Sequence, residues 1–177
     1  MKLYLVRHGQ TDWNLENRAQ GQVDNPLNAT GISQAEELRE KLSSIDFDAC
    51  YCSPLKRAVQ TAEIVTDGRL DIIFDDDLKE RDFGSLEGTN SDTWKMDIYD
   101  RELNSSKGGI EPIKSVLERS KRALDCIKAK NKPGAKVLIV GHEALFRTLH
   151  FNIVGYDDNT AFQDFHLKNG TVAIYDI

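Results

Sequence analysis

Cysteine is scarce, with three in 177 residues. The odd count leaves no complete disulfide framework, and none of Cys50, Cys52 and Cys126 has a partner at zinc-like spacing. Cys50 and Cys52 stand two apart on an expected strand, so they share a face and read as buried, reduced thiols. Long hydrophobic runs are also missing. No stretch approaches the roughly 18 apolar residues of a membrane helix. Met1-Lys2-Leu3-Tyr4-Leu5-Val6 meets Arg7 too early for the apolar core of a secretory leader. That segment reads instead as a first strand, and the expected location is the cytoplasm, with no membrane partner. Positive charge is in deficit: 23 Lys and Arg face 29 Asp and Glu, a net charge of −6. A nucleic-acid partner, whose phosphates call for a basic face, is therefore not expected. A small anion is still admissible, because a local arginine cluster overrides the mean field. Repeats, low-complexity tracts and long linkers are absent too, and a chain of this length can bury roughly 70% of its unfolded surface around one core.

What is present alternates between strand and helix signals. Leu3–Val6, Phe47–Cys52 and Leu70–Phe74 read as strands, and Val137–Val140 is a continuous β-branched run suited to a central strand covered on both faces. Ile32, Ala35, Leu38 and Leu42 keep helical spacing over Thr30–Leu42. Ser53-Pro54 predicts a helix start, with the hydroxyl at the N-cap and the proline at the first helical position, followed by a stripe of Leu55, Ala58, Val59, Ala62 and Val65. Pro112 opens another helix that Asn131-Lys132-Pro133-Gly134 ends, and a last one runs from Glu143 to Val154 before Gly155. Ala161–His166 and Thr171–Tyr175 read as strands of a hairpin around Lys168-Asn169-Gly170. The expected architecture is a three-layer α/β/α sandwich. Its sheet has six strands, mostly parallel, with one antiparallel strand near the C-terminal edge. The least regular stretch, about 78–110, is the candidate cap.

In such sheets ligands bind beyond the carboxyl ends of the strands. His8 and His142 lie at two of those ends. Arg7 neighbours His8, and Arg57 falls in the first turn of a helix, where free N–H groups also favour an anion. Guanidinium forks match phosphate oxygens, and imidazole is a nucleophile at neutral pH. Two histidines and two arginines at one sheet edge therefore suggest phosphate chemistry. The bland alternatives are structural histidines and a surface arginine. A zinc site is disfavoured because neither histidine has an acidic or thiol neighbour at metal spacing. His150 and His166 read as packing and terminal-strand residues. Trp13, Trp94, Met96 and Tyr99 are candidates for the mouth of the site, with ordinary packing equally open.

Several blocks together carry a resemblance. Arg7-His8-Gly9-Gln10-Thr11 with Asn14 comes first, then Asn17-Arg18-Ala19-Gln20-Gly21, then Gly31-Ile32-Ser33-Gln34-Ala35. Ser53-Pro54-Leu55-Lys56-Arg57 follows, then Leu78-Lys79-Glu80-Arg81-Asp82-Phe83-Gly84, and finally Val140-Gly141-His142 with Arg147. In this order they resemble the histidine phosphatase superfamily, the phosphoglycerate mutase-like proteins, over nearly the whole chain. The resemblance implies a single domain over 1–177 that hydrolyses phosphomonoesters of a small metabolite without metal or cofactor, as a monomer or homodimer. It implies that His8 attacks phosphorus and becomes phosphohistidine, while Arg7, Arg57 and His142 hold the phosphoryl oxygens. Glu80 is implied to protonate the leaving oxygen and then to activate water, a role for which Asp77, Asp82 and Glu87 are rivals on sequence alone. Asn14, Gln20 and Gly21 are implied to border the phosphate. A mutase remains an alternative, although the interval from Gly88 to Pro112 has little room for an extended substrate segment. A phosphoprotein substrate and a non-catalytic phospho-ligand module are also open. Glu143, directly after His142, departs from the commoner small residue and would repel an anion if it pointed inward.

Overall fold

In the computed structural model, which describes residues 1–93, 107–157 and 159–177, the chain enters through β1 (Lys2–Arg7) and a single helical turn, α1 (Asp12–Leu15). Helix α2 (Ala29–Leu42), strand β2 (Ala49–Cys52), helix α3 (Lys56–Thr66) and strand β3 (Ile72–Phe74) follow. After a run of 3-10 turns come α4 (Ile113–Lys130), β4 (Lys136–Gly141), α5 (Glu143–Val154) and β5 (Val172–Asp176). The sheet order is β3-β2-β4-β1-β5, parallel throughout except for the β1–β5 pair.

Alternate residues of each strand serve opposite layers, as the two-residue period of a strand requires. On one face, Leu38 and Leu42 of α2 and Ala58, Ala62 and Val65 of α3 pack on Tyr4, Val6, Cys50, Cys52, Leu138 and Val140. On the other, Leu124 and Ile127 of α4 and Leu145, Phe146 and Leu149 of α5 pack on Leu3, Leu5, Tyr51, Val137 and Ile139. This is the expected α/β/α sandwich. Cys50 and Cys52 do share a face, and burial pushes the Cys50 thiol up to about 12, far from reactive thiolate.

Two expectations change. Among the described residues the sheet has five strands rather than six: the segment read as a strand over 161–166 forms a 3-10 turn at Phe162–Asp164. Phe162 and Phe165 are three apart, a helical rather than a strand interval. Phe162 is buried with Leu117 and Phe151, while Phe165 stacks on His150 at 4.3 Å. The Asn169-Gly170 turn therefore leads into a single strand, β5. Secondly, Ser53 is not the cap of α3. That helix starts at Lys56 with Leu55 at its N-cap and no side-chain cap, because the Ser53 hydroxyl is turned inward to His142. Of the expected cap over 78–110, residues 94–106 lie outside the described residues; the described parts, 78–93 and 107–110, include 3-10 turns at Gly84–Leu86, Ser91–Thr93 and Lys107–Gly109. Trp94, Met96 and Tyr99 lie outside the described residues.

The loop after β1 is seated on the first turn of α2 by two glycines. A Cβ on Gly31 would stand 2.1 Å from the Gln10 carbonyl oxygen, and one on Gly9 would stand 2.3 Å from that of Gly31. Both obstacles are backbone and cannot rotate away. Gly31→Ala is expected to lower stability by about 1–3 kcal/mol, the usual penalty for overpacking, and to displace the loop that carries His8. Urea denaturation measures the first effect and the NMR shifts of the His8 imidazole the second.

Candidate active site

The register of β1 with β4 sets Arg7 against Gly141, so the next residue of each strand is a histidine. The His8 N–H donates to the Gly141 carbonyl at 3.0 Å, and the two imidazole centroids are 5.1 Å apart. Both rings are buried. His8 Nδ1 lies 2.7 Å from the Gly9 carbonyl oxygen, which can only accept. Nδ1 therefore carries the proton, and Nε2 keeps its lone pair. That lone pair accepts from Arg57 Nε at 3.3 Å. Burial first, then the positive charges of Arg57 and Arg7, hold His8 well below its ordinary 6.5. Burial, followed by Arg57, does the same to His142.

The arginines are fixed from behind. Arg57 Nη1 donates to the Val23 carbonyl and Nη2 to that of Gly21, each at 2.8 Å. Gly21 adopts φ +49°, and a Cβ there would run into the Glu87 carboxylate, so the turn that receives Arg57 requires glycine. Burial lowers Arg57 to about 10, which still leaves it charged at neutral pH. Arg7 Nη1 donates to the Leu167 carbonyl at 2.8 Å and pairs with Glu143 Oε2 at 2.5 Å, while its Nε is buried without a partner. Glu143 does face the site, yet its charge is taken up by Arg7, by Arg147 at 2.5 Å and by His166 Nδ1 at 2.6 Å. Burial works to raise the Glu143 carboxyl, but Arg7, Arg147 and His166 outweigh it and leave it below its ordinary value. The residue expected to repel an anion is thus the counterion of the arginine beside His8.

Glu80 reaches the same sheet edge from the segment after β3. Its carboxylate accepts from the N–H groups of Arg81 at 2.9 Å, Leu145 at 3.0 Å and Ala144 at 3.2 Å, the last two from the first turn of α5 just past His142. A buried clamp holds this segment. Arg119 pairs with Glu111 through Nε and Nη2 at 2.7 and 3.0 Å, and its Nη1 donates to the carbonyls of Asp77 and Lys79. The rival carboxylates are engaged elsewhere: Glu87 accepts from Gln22 N, Asp82 from Gly84 N, and Asp77 pairs with Arg122.

Asn14 caps the loop of His8, its Oδ1 accepting from Thr11 N at 3.1 Å, and Gln20 Oε1 accepts from Thr11 Oγ1 at 2.9 Å. The fold adds residues that the sequence reading passed over. Asn169 Nδ2 donates to the His8 carbonyl at 3.0 Å and to Asn14 Oδ1 at 3.3 Å. Thr61 Oγ1 accepts from Gly9 N at 3.1 Å. His166, set aside as a terminal-strand residue, stands in the cleft on Glu143. The signal for Asn169 was available. A strand antiparallel to β1 must begin where β1 ends, so the turn before it falls beside His8. An open cleft of about 290 Å³ adjoins the site and is lined by Arg7, Trp13, Asn14, Glu143, Lys168 and Asn169, among others. Among the described residues no group of three or more His, Cys, Asp or Glu side chains is arranged to hold a metal ion, and no helix is long and apolar enough to cross a membrane.

A model of the histidine phosphatase superfamily (branch 1) matches residues 3–177. The chain belongs to this superfamily. It is 40% identical over 156 residues to the "Uncharacterized phosphatase PhoE" of Bacillus subtilis (strain 168), covering 86% of this chain and 77% of that one. It is 37% identical over 163 residues to the "Probable phosphoglycerate mutase GpmB" of Proteus mirabilis (strain HI4320), covering 88% and 75%. The solved structure of Bacillus stearothermophilus YhfR superposes with a TM-score of 0.87 at 32% identity, covering 99% of this chain and 91% of that one. Membership in the superfamily agrees with the α/β sandwich and with the order of blocks along the chain.

The two buried neutral histidines have a consequence for stability. Folding lowers both pKa values below 6.5, so below that pH the unfolded chain binds more protons than the folded one. Stability rises with pH across this window and is lost as pH falls through it. Urea unfolding at pH 7.5 and pH 5.5 should show the loss, and His8→Asn should reduce it.

Proposed function

We propose that the protein hydrolyses phosphomonoesters of a small metabolite through a phosphohistidine at His8. The observation that carries this reading is the state of His8: a neutral imidazole with Nδ1–H tied to Gly9 and the Nε2 lone pair beside the Arg57 guanidinium. Nε2 attacks phosphorus, the bond from phosphorus to the ester oxygen breaks, and Glu80 gives its proton to the departing oxygen. Water then attacks the phosphohistidine, Glu80 takes a proton from it, and the N–P bond breaks to release phosphate. Arg7, Arg57 and His142 hold the phosphoryl oxygens, with Asn14, Gln20 and Gly21 bordering them. Most of the acceleration comes from position and preset charge.

Similarity to the phosphatase PhoE supports hydrolysis. The relative named as a mutase makes transfer to a second hydroxyl the competing outcome, and that reaction needs a phosphohistidine shielded from water. The size of the cleft supports a metabolite rather than a protein as substrate. In the same reading residues 1–177 act as one domain, the stretch 78–110 is its lid, and the enzyme works in the cytoplasm as a monomer or homodimer, without nucleic acid, metal or cofactor.

A panel of phosphorylated metabolites should yield free phosphate, whereas isomer formation from 3-phosphoglycerate without phosphate release would favour the mutase. Acid-labile labelling by a phosphorylated substrate should disappear in His8→Ala, and equal labelling would sink the mechanism. Glu80→Gln is expected to slow turnover by roughly 10²–10⁴-fold, the usual contribution of a general acid-base group, while vanadate still binds. Unchanged turnover would move the acid role to Asp82 or Glu87.

A further inference from the structure

Ser53 has no part in the scheme above, yet its hydroxyl is fully buried against the second histidine. Ser53 N donates to the Val140 carbonyl at 3.0 Å, which fixes the residue at the mouth of β2 beside the end of β4. Its Oγ lies 2.8 Å from His142 Nε2 and accepts from Leu55 N at 3.3 Å. His142 Nδ1, on the other side of the ring, is buried without a partner.

We infer that Ser53 is a positioning residue that sets the tautomer of His142, so that Nδ1–H is presented to the phosphoryl group. A hydroxyl has one proton to give. Among the described residues, the Ser53 O–H has no acceptor other than His142 Nε2. If Nε2 carried the proton instead, the Ser53 O–H would be buried and unsatisfied, which is costly. Nδ1 would then offer a bare lone pair to an anionic oxygen. With O–H donating to Nε2, Nδ1 carries hydrogen, and its lack of a partner becomes a vacant donor awaiting the substrate. Because His142 stays neutral, this tautomer is its only means of donating there. His8 obeys the same logic in mirror image: its Nδ1–H is held by a carbonyl, so Nε2 keeps the lone pair that faces Arg57 Nε.

The inference rests on the phosphohistidine reading for its catalytic meaning, but its test does not. Two-bond ¹H–¹⁵N spectra of labelled, ligand-free protein distinguish Nδ1–H from Nε2–H imidazoles. There are four histidines, and His142→Gln identifies the signal. The parent protein should show His142 as the Nδ1–H form. Ser53→Ala should move it toward Nε2–H and lower turnover on the order of 10²-fold, the scale for losing one such donor. Ser53→Cys, close in size but a weak donor, should lie between, and it decides the matter alone if Ser53→Ala does not fold. An Nε2–H form in the parent overturns the inference, as does a folded variant with the parental tautomer or parental turnover. Failure of His8 labelling would instead overturn the mechanism and leave the tautomer result standing.

Discussion

Strands β1 and β4 run side by side at the centre of the sheet, and their hydrogen-bond register places Arg7 opposite Gly141. The pairing of the two histidines follows from that alignment. Two histidines, 134 positions apart in the chain by their numbers 8 and 142, emerge next to each other because each is the first residue past its strand. A slip of one residue would send every side chain of a strand to the opposite layer. Such a slip is resisted from both faces, since Leu3, Leu5, Val137 and Ile139 serve one core and Tyr4, Val6, Leu138 and Val140 the other. Packing energy away from the sheet edge thus fixes the separation of the two histidines.

Around this pair the charges are balanced by burial rather than by water. Burial first, and then the charges of the desolvated Arg57 and Arg7, keep both imidazoles neutral. Each is turned by backbone carbonyls, Arg57 by Gly21 and Val23 and Arg7 by Leu167. Glu143 completes the arrangement by neutralising Arg7 along with Arg147. An arginine pinned in this way can present its remaining donors to an anion without having to reorganise, which is where preset electrostatics outperforms water.

Glu80 depends on a different device. It sits on irregular backbone, where no sheet register fixes it, and the Arg119–Glu111 pair takes over that task through the carbonyls on either side of Leu78. Its carboxylate then docks on the first turn of α5, so that the acid segment and the second histidine share one anchoring point.

The strands and helices of the sandwich were legible in the sequence because hydrophobic periodicity is a local property that burial on two faces writes into each segment. The motif residues were legible for a similar reason: Arg7, His8, Arg57, Glu80 and His142 each belong to a short block with its own pattern. Where local pattern misled, a distant contact had won. Phe162 and Phe165 left the strand pattern for Leu117 on α4 and aromatic partners on α5, Ser53 gave up a helix cap for His142, and Asn169 served the loop of His8 as well as a turn. The sequence by itself determined the fold class, the family and the set of candidate site residues. Only the tertiary structure decided which way Glu143 faces, what the far side of each histidine ring meets and what holds Glu80, because each of these is settled by contacts between segments far apart in the chain.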